Sequence, residues 1–284
     1  MDQLSSYFKN KFEEKYITCD EGQSLLFLAD KKTFQVKIFL YTVKTDYSPN
    51  ETDDEVILAA VNKVLPSTII NPVYQFAARL AKQVEVTFLP IYFPGKTPAD
   101  GEEHNPPKFV ITNPSGTTIG IRDEVTFIKG LHKEIGINPN NEPPKPVNKS
   151  VADFFHIWSR DNLACGNNGI TKCDLDGMFL NSDNKPAILL EIKRSKKIPA
   201  KDWKPYLNDF TGLHLLHNVA RECGSELWVI HHGTDPLADE VDIDFKFSLF
   251  KITDFDKDGN PKFVLATQPY DMEKIESVIN EIIK

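Results

Sequence analysis

Two short apolar segments on either side of a polar turn constrain the fold of this chain more than any other feature of its sequence. Residues 174–180 and 187–193 both have the pattern of a strand, and residues 181–186 (Asn-Ser-Asp-Asn-Lys-Pro) have the composition of a turn. A register that pairs Phe179 with Ile188 places the apolar side chains of both strands on one face. The sequence therefore predicts a β-hairpin with one buried face.

The opposite face of this hairpin carries three charged side chains. The same register pairs Leu180 with Ala187 and Asp176 with Glu191, and Lys193 follows Glu191 on the same face. Two carboxylates that face each other at the end of a buried sheet repel unless a cation binds between them. Carboxylate oxygens suit Mg²⁺ or Mn²⁺, and a neighbouring lysine can hold a water or a phosphate oxygen. These groups are the ones that metal-assisted phosphodiester hydrolysis requires.

The pattern resembles the D-x(n)-[DE]-x-K signature of the PD-(D/E)xK nuclease superfamily. Asp176-Gly177 is followed fourteen residues later by Glu191-Ile192-Lys193. The resemblance covers residues 150–232, whose predicted order is helix, strand, strand, helix, strand. It implies the restriction-endonuclease-like fold, a mixed β-sheet flanked by helices. The chain departs from the signature at Leu175, where the proline that names the family would stand.

The resemblance also implies a role for each residue of the signature. Asp176 and Glu191 would bind Mg²⁺, for which Mn²⁺ can substitute, with the main-chain carbonyl of Ile192 as a candidate third ligand. Lys193 would orient or polarise the attacking water. Cleavage in this family leaves a 5′-phosphate and a 3′-hydroxyl, and we expect the same products here.

Two further acidic positions stay open at this stage. Asp174 shares a face of the predicted strand with Asp176 and is therefore a rival metal ligand. The register with Glu191 and the glycine that follows favour Asp176. An acidic residue of the preceding helix sometimes joins the site in this family, and here Asp153 is the first candidate and Asp161 the second.

The distribution of charge allows nucleic acid binding although the net charge alone argues against it. The chain has 33 Lys and Arg against 41 Asp and Glu, a formal charge of −8. A basic run beside the hairpin would attract a phosphate backbone locally, although it also fits the solvated start of a helix. Trp203 and Tyr206, beside this run, could stack on bases, but a place in the core is favoured. The predicted DNA-binding residues are Arg194, Lys196, Lys197, Lys201 and Lys204.

Proline-rich residues 138–147 predict a domain boundary. We expect an N-terminal mixed α/β region over 1–140, for recognition or assembly, and a nuclease domain over 148–284. Residues 254–259 imitate the start of an EF-hand loop, but Leu265 stands where the bidentate glutamate is required, so a hairpin turn is predicted.

The predicted protein is of the α/β (α+β) class and acts as a Mg²⁺-dependent endonuclease on double-stranded DNA, sequence-specifically as in type II restriction enzymes. We expect a homodimer, whose two sites would cut the two strands. A structure-specific or degradative repair, phage or defence nuclease is an alternative, as is a non-catalytic nucleic-acid- or protein-binding module. The sequence shows no signal or transmembrane segment, and its four cysteines contain no C-x-x-C pair. These two features predict a cytoplasmic protein without a membrane partner.

Overall fold

The computed structural model describes residues 3–95, 106–137, 155, 158–159, 162–163, 169–195, 203–205, 209–233, 247–265 and 272–284. They form two compact units, which we call the terminal unit (Met1–Cys19 with Leu175–Lys284) and the central unit (Asp20–Asp174). Each unit contains a mixed six-stranded sheet and helices. The predicted mixed α/β class is confirmed.

The helices and strands are numbered in chain order within the described ranges. The helices are α1 (Gln3–Phe12), α2 (Asp54–Ile70), α3 (Pro72–Gln83), α4 (Glu124–Ile135), α5 (Phe210–Cys223) and α6 (Met272–Ile282). The strands are β1 (Tyr16–Ile17), β2 (Gln23–Asp30), β3 (Val36–Thr45), β4 (Thr87–Pro94), β5 (Lys108–Thr112), β6 (Thr118–Asp123), β7 (Ile170–Asp174), β8 (Gly177–Leu180), β9 (Pro186–Ser195), β10 (Glu226–Gly233), β11 (Ser248–Phe255) and β12 (Pro261–Leu265).

The central unit is built on a sheet in the order β6-β5-β4-β3-β2-β7, in which only β3 and β4 run parallel. Asn71 separates α2 from α3 because its side chain caps the second helix and Pro72 fits the first helical position. No single described helix is long and apolar enough to cross a membrane, and the pair α2 and α3, bent by 74°, reaches that length and composition only together.

The terminal unit is built on a sheet in the order β1-β8-β9-β10-β11-β12. β9 and β10 run parallel, so the chain must cross between them, and α5 lies in that connection. One face of the sheet forms an apolar core with α1 and α6. The members of this core include Phe8, Phe179, Ile188, Leu190, Ile230 and Ile275. The other face carries Glu191 and Lys193.

The predicted hairpin register is present from Gly177 to Phe179, but the predicted pair of Asp176 with Glu191 is not part of the β8–β9 ladder. Phe179 pairs with Ile188, and Gly177 pairs with Leu190. A bulge after Phe179 places Leu180 opposite Pro186, where Ala187 was expected. The prediction of one strand over 174–180 is wrong, because β7 ends at Asp174 in the sheet of the central unit and β8 begins only at Gly177.

The division into units differs from the predicted domains 1–140 and 148–284. Residues 1–19 join the terminal unit because Tyr16 of β1 pairs with Phe179, and Phe8 and Phe12 of α1 pack against the same ring. The central unit extends to Asp174 because β7 pairs with β2. The proline-rich segment 138–147 lies outside the described residues.

Candidate active site

Asp176 is held at the end of the β8–β9 ladder by hydrogen bonds to its side-chain carboxylate and to its main-chain carbonyl. Its side-chain Oδ2 accepts a hydrogen bond from the main-chain N–H of Ile192 at 2.6 Å. Its main-chain oxygen accepts a hydrogen bond from the hydroxyl of Thr18 at 2.7 Å. The last paired residue of β8 is Gly177, so the Asp176 carboxylate takes the place of a strand partner for Ile192. The aspartate is thereby brought to the segment that carries Glu191 and Lys193.

Glu191 and Lys193 form an ion pair on one face of β9. Lys193 Nζ lies 2.8 Å from Glu191 Oε1 and 3.1 Å from Asp209 Oδ1, at the start of α5. The side chains are 9% (Glu191), 27% (Lys193) and 21% (Asp209) exposed, so the pair is largely removed from solvent. Burial alone would lower the pKa of Lys193, but Glu191 and then Asp209 outweigh it and raise the pKa above the usual range. Lys193 therefore carries its positive charge at neutral pH.

The formal charges of this cluster leave it negative. Asp176, Glu191 and Asp209 supply three carboxylates and Lys193 supplies one ammonium, which together amount to −2. One divalent cation would balance this charge. The formal charge of these four described residues is therefore compatible with a divalent cation.

The oxygen donors at the end of the ladder fit Mg²⁺. Because the N–H and the C=O of a strand residue point to the same side, the carbonyl oxygen of Ile192 faces the side on which Asp176 accepts its hydrogen bond. Across the described ranges, no three His, Cys, Asp or Glu side chains could hold a metal by themselves. A cation held here would have Asp176, Glu191 and the Ile192 carbonyl as its described protein donors, and Mg²⁺ would complete such a set with water.

Of the alternative acidic residues, only Asp174 lies within the described residues, and it does not share a strand with Asp176. Asp174 ends β7 opposite Leu26 of the central unit and is exposed, so the strand face that it was expected to share with Asp176 does not exist. Asp153 and Asp161 lie outside the described residues. Asp176 is thus the aspartate that the described structure brings to Glu191.

The basic run is described only in part. Arg194, at the end of β9, and Lys204 are both exposed to solvent. Lys196, Lys197 and Lys201 lie outside the described residues. Arg194 and Lys204 are therefore the described members of the run that are open to solvent.

Trp203 is a core residue and does not offer a surface for bases. Its side chain is 1% exposed and stacks on the ring of His231, with centroids 4.3 Å apart and planes at 6°. The ring of Phe250 packs edge-on against Trp203, with ring centroids 5.4 Å apart. The favoured prediction of core packing is confirmed for Trp203, and Tyr206 lies outside the described residues.

His231 lies beside Lys193 in the sheet. The two residues are register partners on the parallel strands β10 and β9, so their side chains share a face. His231 is fully buried, and this burial, followed by the charge of His232, lowers its pKa to about 4. The imidazole is therefore neutral at neutral pH, and it packs against the ring of Trp203.

Asp209 is the site residue that sequence reasoning missed. Asp209 directly precedes α5, which begins at Phe210. An aspartate directly before an apolar helical pattern is a recognised start signal and could have been noted. Its contact with Lys193 depends on how α5 packs on β9, and no local pattern reports that.

Comparisons with known proteins assign no family to the chain. No family model and no curated protein matches it. The C-terminal domain of the sex pheromone staph-cAM373 precursor from Staphylococcus aureus is 11% identical, with coverage of 86% of this chain and 70% of that chain and a TM-score of 0.20. A carbon-nitrogen hydrolase from Helicobacter pylori G27 is 15% identical, with coverage of 88% and 83% and a TM-score of 0.18. At such TM-scores, neither similarity indicates a shared fold or function.

Proposed function

We propose that this chain is a Mg²⁺-dependent endonuclease that hydrolyses phosphodiester bonds of double-stranded DNA to 5′-phosphate and 3′-hydroxyl ends. The observation that carries the proposal is the hydrogen bond from Ile192 N–H to Asp176, which brings the aspartate to the Glu191-Ile192-Lys193 segment. The proposal rests on this placement and on the resemblance of these residues to the PD-(D/E)xK signature. We extend it to sequence-specific cleavage of the type II restriction kind by a cytoplasmic homodimer.

Each residue of the cluster has a defined task in this mechanism. Asp176, Glu191 and the Ile192 carbonyl would hold the ion, and Mg²⁺, when bound, would act as a Lewis acid and lower the pKa of a coordinated water. Lys193 has three ammonium donors, of which two meet Glu191 and Asp209. The third can donate to the attacking water or to a phosphate oxygen, where its positive charge stabilises the charge that develops in the transition state.

The first experiment is a cleavage assay on supercoiled plasmid, single-stranded DNA and RNA, with Mg²⁺ or with EDTA. We expect the wild type to nick or linearise plasmid only with Mg²⁺. Asp176→Asn, Glu191→Gln and Lys193→Met should each reduce the rate at least about 100-fold, because the first two remove a ligand of the ion and the third removes the donor to the attacking water or phosphate.

Lys251→Met is the matched control for these variants. Lys251 also forms a half-exposed ion pair, with Glu226, but it lies on the opposite face of the same sheet. This variant should cleave like the wild type. If all variants and the wild type leave every substrate equally intact, the enzyme proposal fails and the binding-module alternative replaces it.

Mapping the cleaved ends on a long duplex separates the two nuclease alternatives. A discrete site on both strands would support restriction-type specificity, and a two-fold stagger would support a homodimer. Ragged ends, or a preference for branched substrate, would instead favour a structure-specific or degradative nuclease.

A further inference from the structure

Asp209 precedes α5 as its N-cap residue, but its side chain does not cap the helix. Three other helices show the usual arrangement. Asp53, Asn71 and Asp123 each accept a hydrogen bond from a first-turn N–H, at 2.9, 2.8 and 2.8 Å respectively. The carboxylate of Asp209 lies instead 3.1 Å from Lys193 Nζ. The backbone of Asp209 is in the αR conformation, whereas Asp53, Asn71 and Asp123 are extended, so the Asp209 carboxylate does not cap the helix and is available for the ion pair with Lys193.

Lys193 thus lies between two carboxylates that belong to different elements. Glu191 reaches it along β9, and Asp209 reaches it from α5. The ion pair with Glu191 uses the carboxylate that the proposed mechanism assigns to the metal. When a divalent cation binds that carboxylate, the cation repels the ammonium and weakens its attraction to Glu191. Among the described residues, Asp209 is then the carboxylate beside Lys193 that is not assigned to the cation.

We propose that Asp209 is a positioning residue that holds the Lys193 ammonium at the site when the Glu191 carboxylate binds a divalent cation. This inference rests on the proposed nuclease function. It assigns Asp209 no contact with metal or substrate. Without Asp209, the lysine would be free to move away from the cation, and the attacking water would lose its donor.

The contact is tested by NMR on full-length protein labelled with ¹⁵N-lysine. Ammonium protons exchange rapidly with water unless the group is shielded and ion-paired, so the Lys193 signal reports its contacts. Lys193→Met identifies this signal by removing it. We expect the wild type to keep the signal when Mg²⁺ is added, and Asp209→Asn to lose it. Asp209→Ser gives a second neutral variant, and neither variant removes a helix cap, because the Asp209 side chain makes no cap hydrogen bond.

Two further variants control for charge and for capping. Asp209→Glu restores the carboxylate and should keep the signal with Mg²⁺. Asp123→Asn changes an N-cap aspartate of α4 that does cap its helix, and it should leave the signal unchanged. If both neutral variants at Asp209 keep the signal with Mg²⁺, Asp209 does not hold Lys193 and the inference is overturned.

Steady-state cleavage of a duplex gives the second readout. Asp209→Asn should lower kcat by about 10- to 100-fold with KM unchanged, and Asp209→Glu should restore most of it. An unchanged kcat in an active wild-type background would overturn the inference and leave the proposed nuclease function standing. An inactive wild type would refute the nuclease function, whereas the NMR comparison would still decide whether Asp209 holds Lys193.

Discussion

Gly177, the residue that follows Asp176, is expected to tolerate no side chain. A Cβ added at this position would lie 2.3 Å from Tyr16 Oη and 2.6 Å from Tyr16 Cζ. Tyr16 cannot easily move away, because its hydroxyl is hydrogen-bonded to Ser5 at 2.6 Å and its ring packs against Phe179 at 4.8 Å. The φ angle of Gly177 is not positive, so the backbone itself would accept alanine. The conflict is therefore purely one of space.

The expected loss of stability for Gly177→Ala is about 2 kcal/mol. Overpacking a buried site costs about 1–3 kcal/mol. Loss of the Ser5–Tyr16 hydrogen bond adds about 1 kcal/mol if the ring is displaced. The lower conformational entropy of the unfolded chain returns about 0.4–1 kcal/mol. The steric term outweighs the entropy term, so the net change is destabilising.

Urea unfolding followed by tryptophan fluorescence measures this change, since Trp203 and Trp228 both belong to the terminal unit. Gly130→Ala is the matched control, because Gly130 lies in α4 with nothing within 4 Å of an added Cβ. That substitution should stabilise its helix by about 0.5–1 kcal/mol.

A Tyr16→Leu background tests the assigned cause. Removing the tyrosine ring removes the atoms that the new methyl group would meet, so the additional effect of Gly177→Ala should fall below about 0.5 kcal/mol there. A Gly177→Ala protein as stable as the wild type, or an equal loss in both backgrounds, would refute the steric argument.

Two further predictions concern pH and salt. The pKa of His231 falls from 6.5 to about 4 on folding, so the unfolded state binds a proton more readily than the folded state. The resulting contribution to the free energy of unfolding is fully present above pH 6.5 and is lost as the pH falls towards 4. Relative to low pH, this contribution is about 3 kcal/mol at pH 7. The unfolding free energy of His231→Phe should depend less on pH over this range, and an unchanged pH dependence would contradict the prediction. Arg194→Ala and Lys204→Ala should each reduce the slope of log affinity against log salt for duplex DNA by about 1, in fluorescence anisotropy. Lys257→Ala, in the exposed β11–β12 turn, should not change this slope, and equal slopes for all three variants would argue against a phosphate contact.

The β8–β9 register could be predicted because it depends on neighbours in sequence. The polar turn limits the possible pairings, and only one of them places Phe179, Ile188 and Leu190 together on a buried face. The bulge that pairs Leu180 with Pro186 was missed, since a single extra residue leaves no mark in the apolar pattern. The turn after Phe255 was also predicted, and Asp256 N–H and Gly259 N–H close it.

The break between Asp174 and Gly177 could not be predicted from the local pattern. Alternation continues through Leu175, so the sequence shows one strand where the structure has two. The break arises because β7 pairs with β2 in one sheet and β8 pairs with β1 in the other. Both pairings join residues that are far apart in the chain, and periodicity carries no information about such partners.

The sequence by itself determined that Glu191 and Lys193 share one face of β9, because alternation along a strand is a local property of the chain. It also proposed Asp176, which the structure places before the first paired residue of β8. Only the tertiary structure decided that residues 1–19 belong with these residues and that Asp209 reaches Lys193. These outcomes depend on how α1 and α5 pack on the sheet. The reason is physical: the free energy of burying a surface depends on what covers it, and the covering residues lie elsewhere in the chain.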